Sequence, residues 1–119
     1  MTIPKQAVNL LEKGEIYLAT SNQNQPNVTI TESGKVIAKD KLLIADVAMT
    51  LAKDNIIKNP NCCIAVYDNK MHIGYKAFGS AQYSNDKKYL DIAKKRLGNG
   101  PYEAKGAVVI TIKNIFIIQ

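Results

Sequence analysis

The sequence predicts a mainly β domain, an antiparallel barrel that is closed or split, with two or three short helices on its flanks. Three observations carry this expectation. Six or seven runs of strand length, rich in β-branched and aromatic residues, are spread along all 119 residues. Polar or glycine-containing turns separate them, and the helical stretches in between are short. A meander of this kind leaves two sheet edges exposed unless it curls, and closure removes them.

Pro4 to Lys13 reads as a short helix: Pro4 suits the first turn, Ala7, Leu10 and Leu11 fall at helical spacing, and Gly14 ends it. Glu15 to Ser21 is rich in strand formers, Asn22 to Pro26 is a polar turn and Asn27 to Ser33 alternates, so a hairpin is expected. In its second strand Val28 and Ile30 share one side and Asn27, Thr29 and Thr31 the other, which predicts one packed and one wetter face. Gly34 breaks the run, Lys35 to Ala38 is a further strand, and Lys39 to Lys41 turns the chain. Leu42 to Ala45 is a compact apolar strand. Asp46 to Thr50 then changes character before Leu51, Ile56 and Ile57 resume at helical spacing, with Thr50 as the expected N-cap and Lys58-Asn59-Pro60 as the stop.

Beyond Pro60, Asn61 to Asp68 is a strong strand and Asn69-Lys70 a tight turn. Met71 to Ser84 continues as a long strand that contains His72 and bends or bulges at Gly74 and Gly79. Ser84 or Asn85 caps a helix with Tyr89, Ala93 and Leu97 on one stripe, ended by Gly98. Asn99 to Lys105 is loop and Gly106 to Ile112 the last major strand. The apolar run Ile115 to Ile118 that follows must be buried somewhere, and a symmetric partner is the natural cover.

Length and composition fit one domain spanning residues 1–119, with 46% hydrophobic and 22% charged residues. No apolar run approaches the ~18 residues of a membrane span. The first residues carry charges at Lys5, Glu12 and Lys13 with no unbroken apolar core, so no signal peptide is read and a cytoplasmic location is expected. Cys62 and Cys63 are adjacent in a strand and point to opposite faces, so both are read as reduced packing residues. The net charge is +6, and half of it lies between Asn85 and Leu97, where Lys87, Lys88, Lys94, Lys95 and Arg96 outnumber Asp86 and Asp91. Nucleic acid is not the expected partner of that helix. Its one aromatic residue, Tyr89, falls on the buried stripe, so charge is not interleaved with stacking surfaces.

The stretch from Asp40 to Pro60 is the one whose local geometry suggests a ligand. A helix that starts just past a strand end presents unpaired N–H groups and the positive end of its dipole, a site suited to phosphate. An ordinary strand-to-helix connection has the same spacing and is the commoner case.

Several segments occur in order over nearly the whole chain: YLATSNQNQPNV from Tyr17, NIIKNP ending at Pro60, CCIAVY from Cys62, FGSAQY from Phe78 and KGAVVITIKNIF from Lys105. Together they resemble the FMN-binding split barrels of the pyridoxamine 5'-phosphate oxidase type, the small FMN-binding proteins in particular. The resemblance implies a six-stranded antiparallel split barrel that forms a homodimer, with one FMN in each of two clefts between subunits. It also implies that the strand bearing Thr29, Ile30, Thr31, Glu32 and Ser33 runs beside the flavin. The turn formed by Asp46, Val47, Ala48, Met49, Thr50, Leu51, Ala52 and Lys53 would wrap the ring and phosphate.

At this turn the chain departs from the family, because a Lys-Thr pair that usually binds the phosphate is replaced by Leu51 and Ala52. Losing one charge-assisted hydrogen bond costs about 1.5–3 kcal/mol. Thr50, the backbone donors of the helix start and Lys53 are the available substitutes. Val47, Ala48 and Met49 can supply the apolar wall that a planar ring needs.

The implied function is that of an FMN-dependent oxidoreductase or electron carrier with a small-molecule substrate or redox partner. No catalytic side chain is required, since the flavin carries the chemistry. Vitamin B6 oxidation is not expected, as no set of substrate-phosphate ligands is found. The alternative is a cofactor-free split-barrel dimer that acts as a binding module. Of the remaining candidates, His72 has no second ligand to make a metal site. Glu32, Tyr102 and Lys105 could each reach toward a cofactor or substrate, and each also reads as an ordinary solvated residue.

Overall fold

The computed structural model describes residues 1–118, which run α1 (Lys5–Lys13), β1 (Ile16–Asn22), β2 (Gln25–Thr31), β3 (Gly34–Ala38), β4 (Lys41–Asp46), α2 (Thr50–Lys58), β5 (Asn61–Asp68), β6 (Ile73–Ser84), α3 (Lys87–Leu97) and β7 (Gly106–Ile118). All strands join one antiparallel sheet in the order β2-β1-β5-β6-β7-β4-β3. Seven strands form where six were expected, and no ladder closes the sheet, whose edges are β2 and β3. Those two edges are nevertheless consecutive in the chain. Only Glu32 and Ser33 separate them, a path of at most about 11 Å between Cα atoms. The sheet must therefore curl until its edges meet at this corner, and the result is a split barrel.

The main core lies inside the curl, where Ile16, Leu18, Leu42, Ile44, Ile64, Val66, Val108 and Ile110 meet Ala7 and Leu11 of α1. A second apolar cluster lies on the outer side of β4 and β7, where Leu43, Ala45, Ala107 and Val109 pack under Tyr89, Ile92, Ala93 and Leu97 of α3. β4 is thus covered on both faces. This is why Leu42 to Ala45 reads as an unbroken apolar run instead of alternating.

The β1–β2 hairpin turns on Gln23 and Asn24, with φ of 51° and 65°, the paired left-handed residues of a two-residue type I′ turn. The loop is shorter than the five residues expected, and the tight turn fixes the register. Thr29 and Thr31 lie opposite Leu18 and Ile16, on the inner side, while Val28 and Ile30 lie opposite Ala19 and Tyr17, on the outer side. The expectation that Val28 and Ile30 form the packed face is therefore reversed. They are 62% and 55% exposed, and the threonines are half-buried.

Thr50 is the first residue of α2 and not its N-cap, and no side chain caps the helix from Met49. The hydroxyl of Ser84 accepts the Asp86 N–H at 3.1 Å just ahead of α3. His72 is not in a strand either. It ends a turn between β5 and β6 at φ 57°, where the Asp68 carboxylate accepts the N–H groups of Lys70 and Met71. The expected irregularity at Gly79 is a register shift against β7, in which Phe78 faces Asn114 and Gly79 faces Ile112. Lys113 of β7 is the extra residue, and a Cβ on Gly79 would strike the Thr111 carbonyl. Cys62 and Cys63 are both free. Burial, followed by the neighbouring Cys63, pushes the Cys62 thiol up to about 12.

Candidate functional site

The corner where the sheet edges meet opens into a cleft of about 530 Å³. One wall is the end of β2 and its link to β3, with Thr29, Ile30, Thr31, Glu32 and Ser33. The opposite wall is the end of β4 and the turn after it, with Ala45, Val47, Ala48 and Met49. Arg96 and Leu97 of α3, Tyr102 of the following loop, and Glu15 complete the lining.

Hydroxyl groups tie the two walls together. The Ser33 hydroxyl donates to the Ala45 carbonyl at 3.1 Å. With that proton committed, the 2.7 Å contact between Thr31 Oγ1 and Ser33 Oγ is donated by Thr31, whose oxygen in turn accepts the Ser33 N–H. The three bonds form a directed relay from backbone to backbone, and they hold the link rigidly against β4.

Arg96 fastens the same corner from outside. Its Nε donates to the Gly34 carbonyl at 2.8 Å, and Nη2 donates to the carbonyls of Glu12 at 2.8 Å and Glu32 at 2.7 Å. Among the described residues no carboxylate lies within ion-pair distance of it. Glu12 covers the next outward group of β3, accepting the Val36 N–H at 2.9 Å. The open edge of β3 is in this way capped by side chains, one of the devices that keep edges from pairing.

The turn after β4 is held by Asp46, which is 3% exposed. One carboxylate oxygen accepts the Met49 N–H at 2.8 Å and the other accepts the Tyr83 hydroxyl. Gly106 faces Asp46 across the ladder, and a Cβ there would collide with the Tyr83 ring. Burial first, and then the bond to Asp46, raises the Tyr83 hydroxyl well above its ordinary value. Lys53 places its ammonium 4.7 Å from the centre of the same ring.

Of the residues singled out in the sequence, Thr29 to Ser33 and Val47 to Met49 thus come together around one cleft. Asp46, Thr50, Leu51, Ala52 and Lys53 do not line it. Asp46 braces the turn, Thr50 and Leu51 face solvent on the first turn of α2, Ala52 is in the main core, and Lys53 lies on Tyr83. Lys105 lies outside the lining as well, its N–H bound to the Asp46 carbonyl at 2.8 Å. Arg96 and Glu15 line the cleft unforeseen. The signal for Arg96 was its place beside Leu97 on the buried stripe of α3, where a cation cannot be fully solvated. Among the described residues no three His, Cys, Asp or Glu groups are placed to hold a metal, and no helix is long and apolar enough to cross a membrane.

No protein-family model matches the chain, and no curated protein does either. Solved structures do match. HupZ of Group A Streptococcus superposes with a TM-score of 0.89 over 98% of this chain and 94% of its own, at 23% identity. An FMN-binding protein from Syntrophomonas wolfei gives 0.84 over 97% and 85%, at 20% identity. A Clostridium acetobutylicum protein of the pyridoxinephosphate oxidase family gives 0.66 over 88% and 79%, at 15% identity. The fold is that of the pyridoxamine 5'-phosphate oxidase-like split barrels.

Proposed function

We propose that this chain is an FMN-binding flavoprotein, an oxidoreductase or electron carrier, that works as a homodimer with the cofactor held between subunits. The observation that carries the reading is the cleft itself. It gathers two segments far apart in sequence, one polar and hydroxyl-rich, one apolar, at the single corner where the sheet is unpaired. Val47, Ala48, Met49 and Leu97 provide an apolar surface for a planar ring.

The open edge of β2 provides polar contacts. Its two-residue turn makes Asn22 and Gln25 a hydrogen-bonded pair, so alternation makes Ala19–Val28 and Tyr17–Ile30 the non-bonded pairs. The N–H and C=O groups of Val28 and Ile30 therefore point away from β1, free for the heteroatoms of a ring or for a partner. The ring position is well served, and the phosphate position less so, because Asp46 already occupies the start of α2. When bound, the flavin supplies the redox chemistry, and the protein holds and shields it.

The outer face of the sheet supports pairing of two copies. Cross-strand rows place Val28, Ala19, Cys63 and Phe78 side by side, and next to them Ile30, Tyr17, Ala65, Lys76 and Phe116. Val28, Ile30, Tyr17, Phe78 and Phe116 are all substantially exposed in the protomer. A contiguous apolar face of this kind marks an interaction surface.

Two measurements test the proposal: the visible absorption spectrum with and without added FMN, and the sedimentation mass of the protein and of Phe78→Asp. Retained flavin bands, a dimer, and a monomeric Phe78→Asp are expected. A protein that neither carries nor takes up FMN overturns the flavin reading. It would favour a cofactor-free binding module instead, for which the carboxylate at the α2 start and the solvent-facing Leu51 are the supporting observations.

A further inference from the structure

The polar lining of the cleft is made of hydroxyls and carboxylates, with one cation. Thr29, Thr31 and Ser33 follow each other on the inner side of one strand and its extension, spaced by the ~6.8 Å of two strand residues. Glu15 and Glu32, both exposed, are the acidic residues of the lining, and no side-chain partner holds the Glu32 carboxylate among the described residues. The lone cation, Arg96, already spends Nε and Nη2 on three backbone carbonyls.

The helix start offers little more to an anion. Asp46 holds the Met49 N–H with a buried carboxylate. Leu51 brings no charge to the first turn, and the nearest lysine in sequence, Lys53, is stacked on Tyr83. A dianionic phosphate in this cleft meets a rim that carries two acidic residues and a guanidinium whose donors are largely in use. A neutral polyol chain faces the Thr29 hydroxyl, which can both donate and accept, and the Thr31 and Ser33 oxygens, whose protons are committed within the relay and which are left to accept.

We infer that the cleft recognises its ligand by the planar ring and the neutral polyol chain and gives no preference to a terminal phosphate, so that riboflavin-class ligands bind as well as FMN. The inference rests on the flavin reading above and narrows it to a ligand class. It makes Glu32 a specificity-determining residue, through repulsion and not through contact.

Titration of the purified protein with FMN and, separately, with riboflavin, followed by quenching of flavin fluorescence at low and high salt, tests it. The expected result is that the two affinities agree within a few-fold, well short of the roughly tenfold or more that one charge-assisted bond to a phosphate would give FMN, and that salt changes the ratio little. Glu32→Gln is expected to raise the FMN-to-riboflavin affinity ratio severalfold at low salt, by removing a like charge.

A larger FMN preference that collapses with salt would show a phosphate site and overturn the inference, while leaving the flavin reading intact. An unchanged ratio in Glu32→Gln would overturn the assigned role of Glu32. Failure of both ligands to bind would remove the flavin reading, and this inference with it.

Discussion

Removing the Arg96 side chain strikes the corner on which both the fold and the cleft depend. Arg96→Ala deletes three donors, to Glu12, Glu32 and Gly34. A hydrogen bond from a charged group is worth about 1.5–3 kcal/mol when its partner is left unsatisfied. Full additivity would overstate the loss, because Glu32 is exposed and water can replace the guanidinium at its carbonyl. The Gly34 carbonyl, on a buried residue, has no such relief. A destabilisation of about 2–4 kcal/mol follows, which lowers the urea midpoint by roughly 1–2 M at the m-value of a small domain.

Arg96→Lys keeps three N–H donors but on a single nitrogen, which cannot occupy the positions of both Nε and Nη2, and should recover less than half of the loss. Because the partners are carbonyls and not carboxylates, the effect should hardly change with salt. A midpoint shift equivalent to less than about 1 kcal/mol in Arg96→Ala, or full rescue by lysine, would refute the reasoning and make Arg96 an ordinary surface cation.

Two further outcomes follow from the site. Tyr83→Phe leaves one oxygen of the buried Asp46 carboxylate without its donor and should cost about 1–3 kcal/mol, measured by denaturant titration; a neutral result would mean that the turn does not depend on this brace. Stability should also fall on the alkaline side. The Cys62 thiol is raised in the folded state from 9.0 to about 12, so above pH 9 the unfolded chain loses a proton that the native chain keeps, and the native state loses stability until the folded value is reached. Cys63 and Tyr83, both raised by burial, act in the same direction. Cys62→Ala should flatten part of this decline, and an unaltered pH profile would remove the thiol from the account.

Much of the architecture was legible because each strand carried its own local signal. The hairpin, the long β6 with its irregular glycine and the apolar β4 could all be read from period and turn chemistry. The runs read along the chain, Lys35 to Ala38 among them, match the seven strands observed, and the resemblance, which implied six, fell one short. The facing of β2 escaped. Alternation shows that Val28 and Ile30 share a side, but the length of the turn, two residues at Gln23 and Asn24, decides which side meets the core. For the cleft, the resemblance singled out Thr29 to Ser33 and Asp46 to Lys53, and of these Thr29 to Ser33 and Val47 to Met49 line it. For Arg96 the local pattern gave only its place beside Leu97, and the carbonyls it binds, on Glu12, Glu32 and Gly34, are remote in the chain and set by how α3 packs.

The two-residue link between β2 and β3 has a mechanical consequence. The barrel has a seam, stitched by the peptide chain and a few side-chain bonds, where every other strand boundary is a ladder. Widening that seam breaks no strand pairing. It strains the contacts of Arg96, Glu12 and Ser33 and the bond from the Ala45 N–H to the Ser33 carbonyl, while both hairpins stay intact. The stiffness of the cleft is therefore set by a handful of side chains and not by the ladders that surround it.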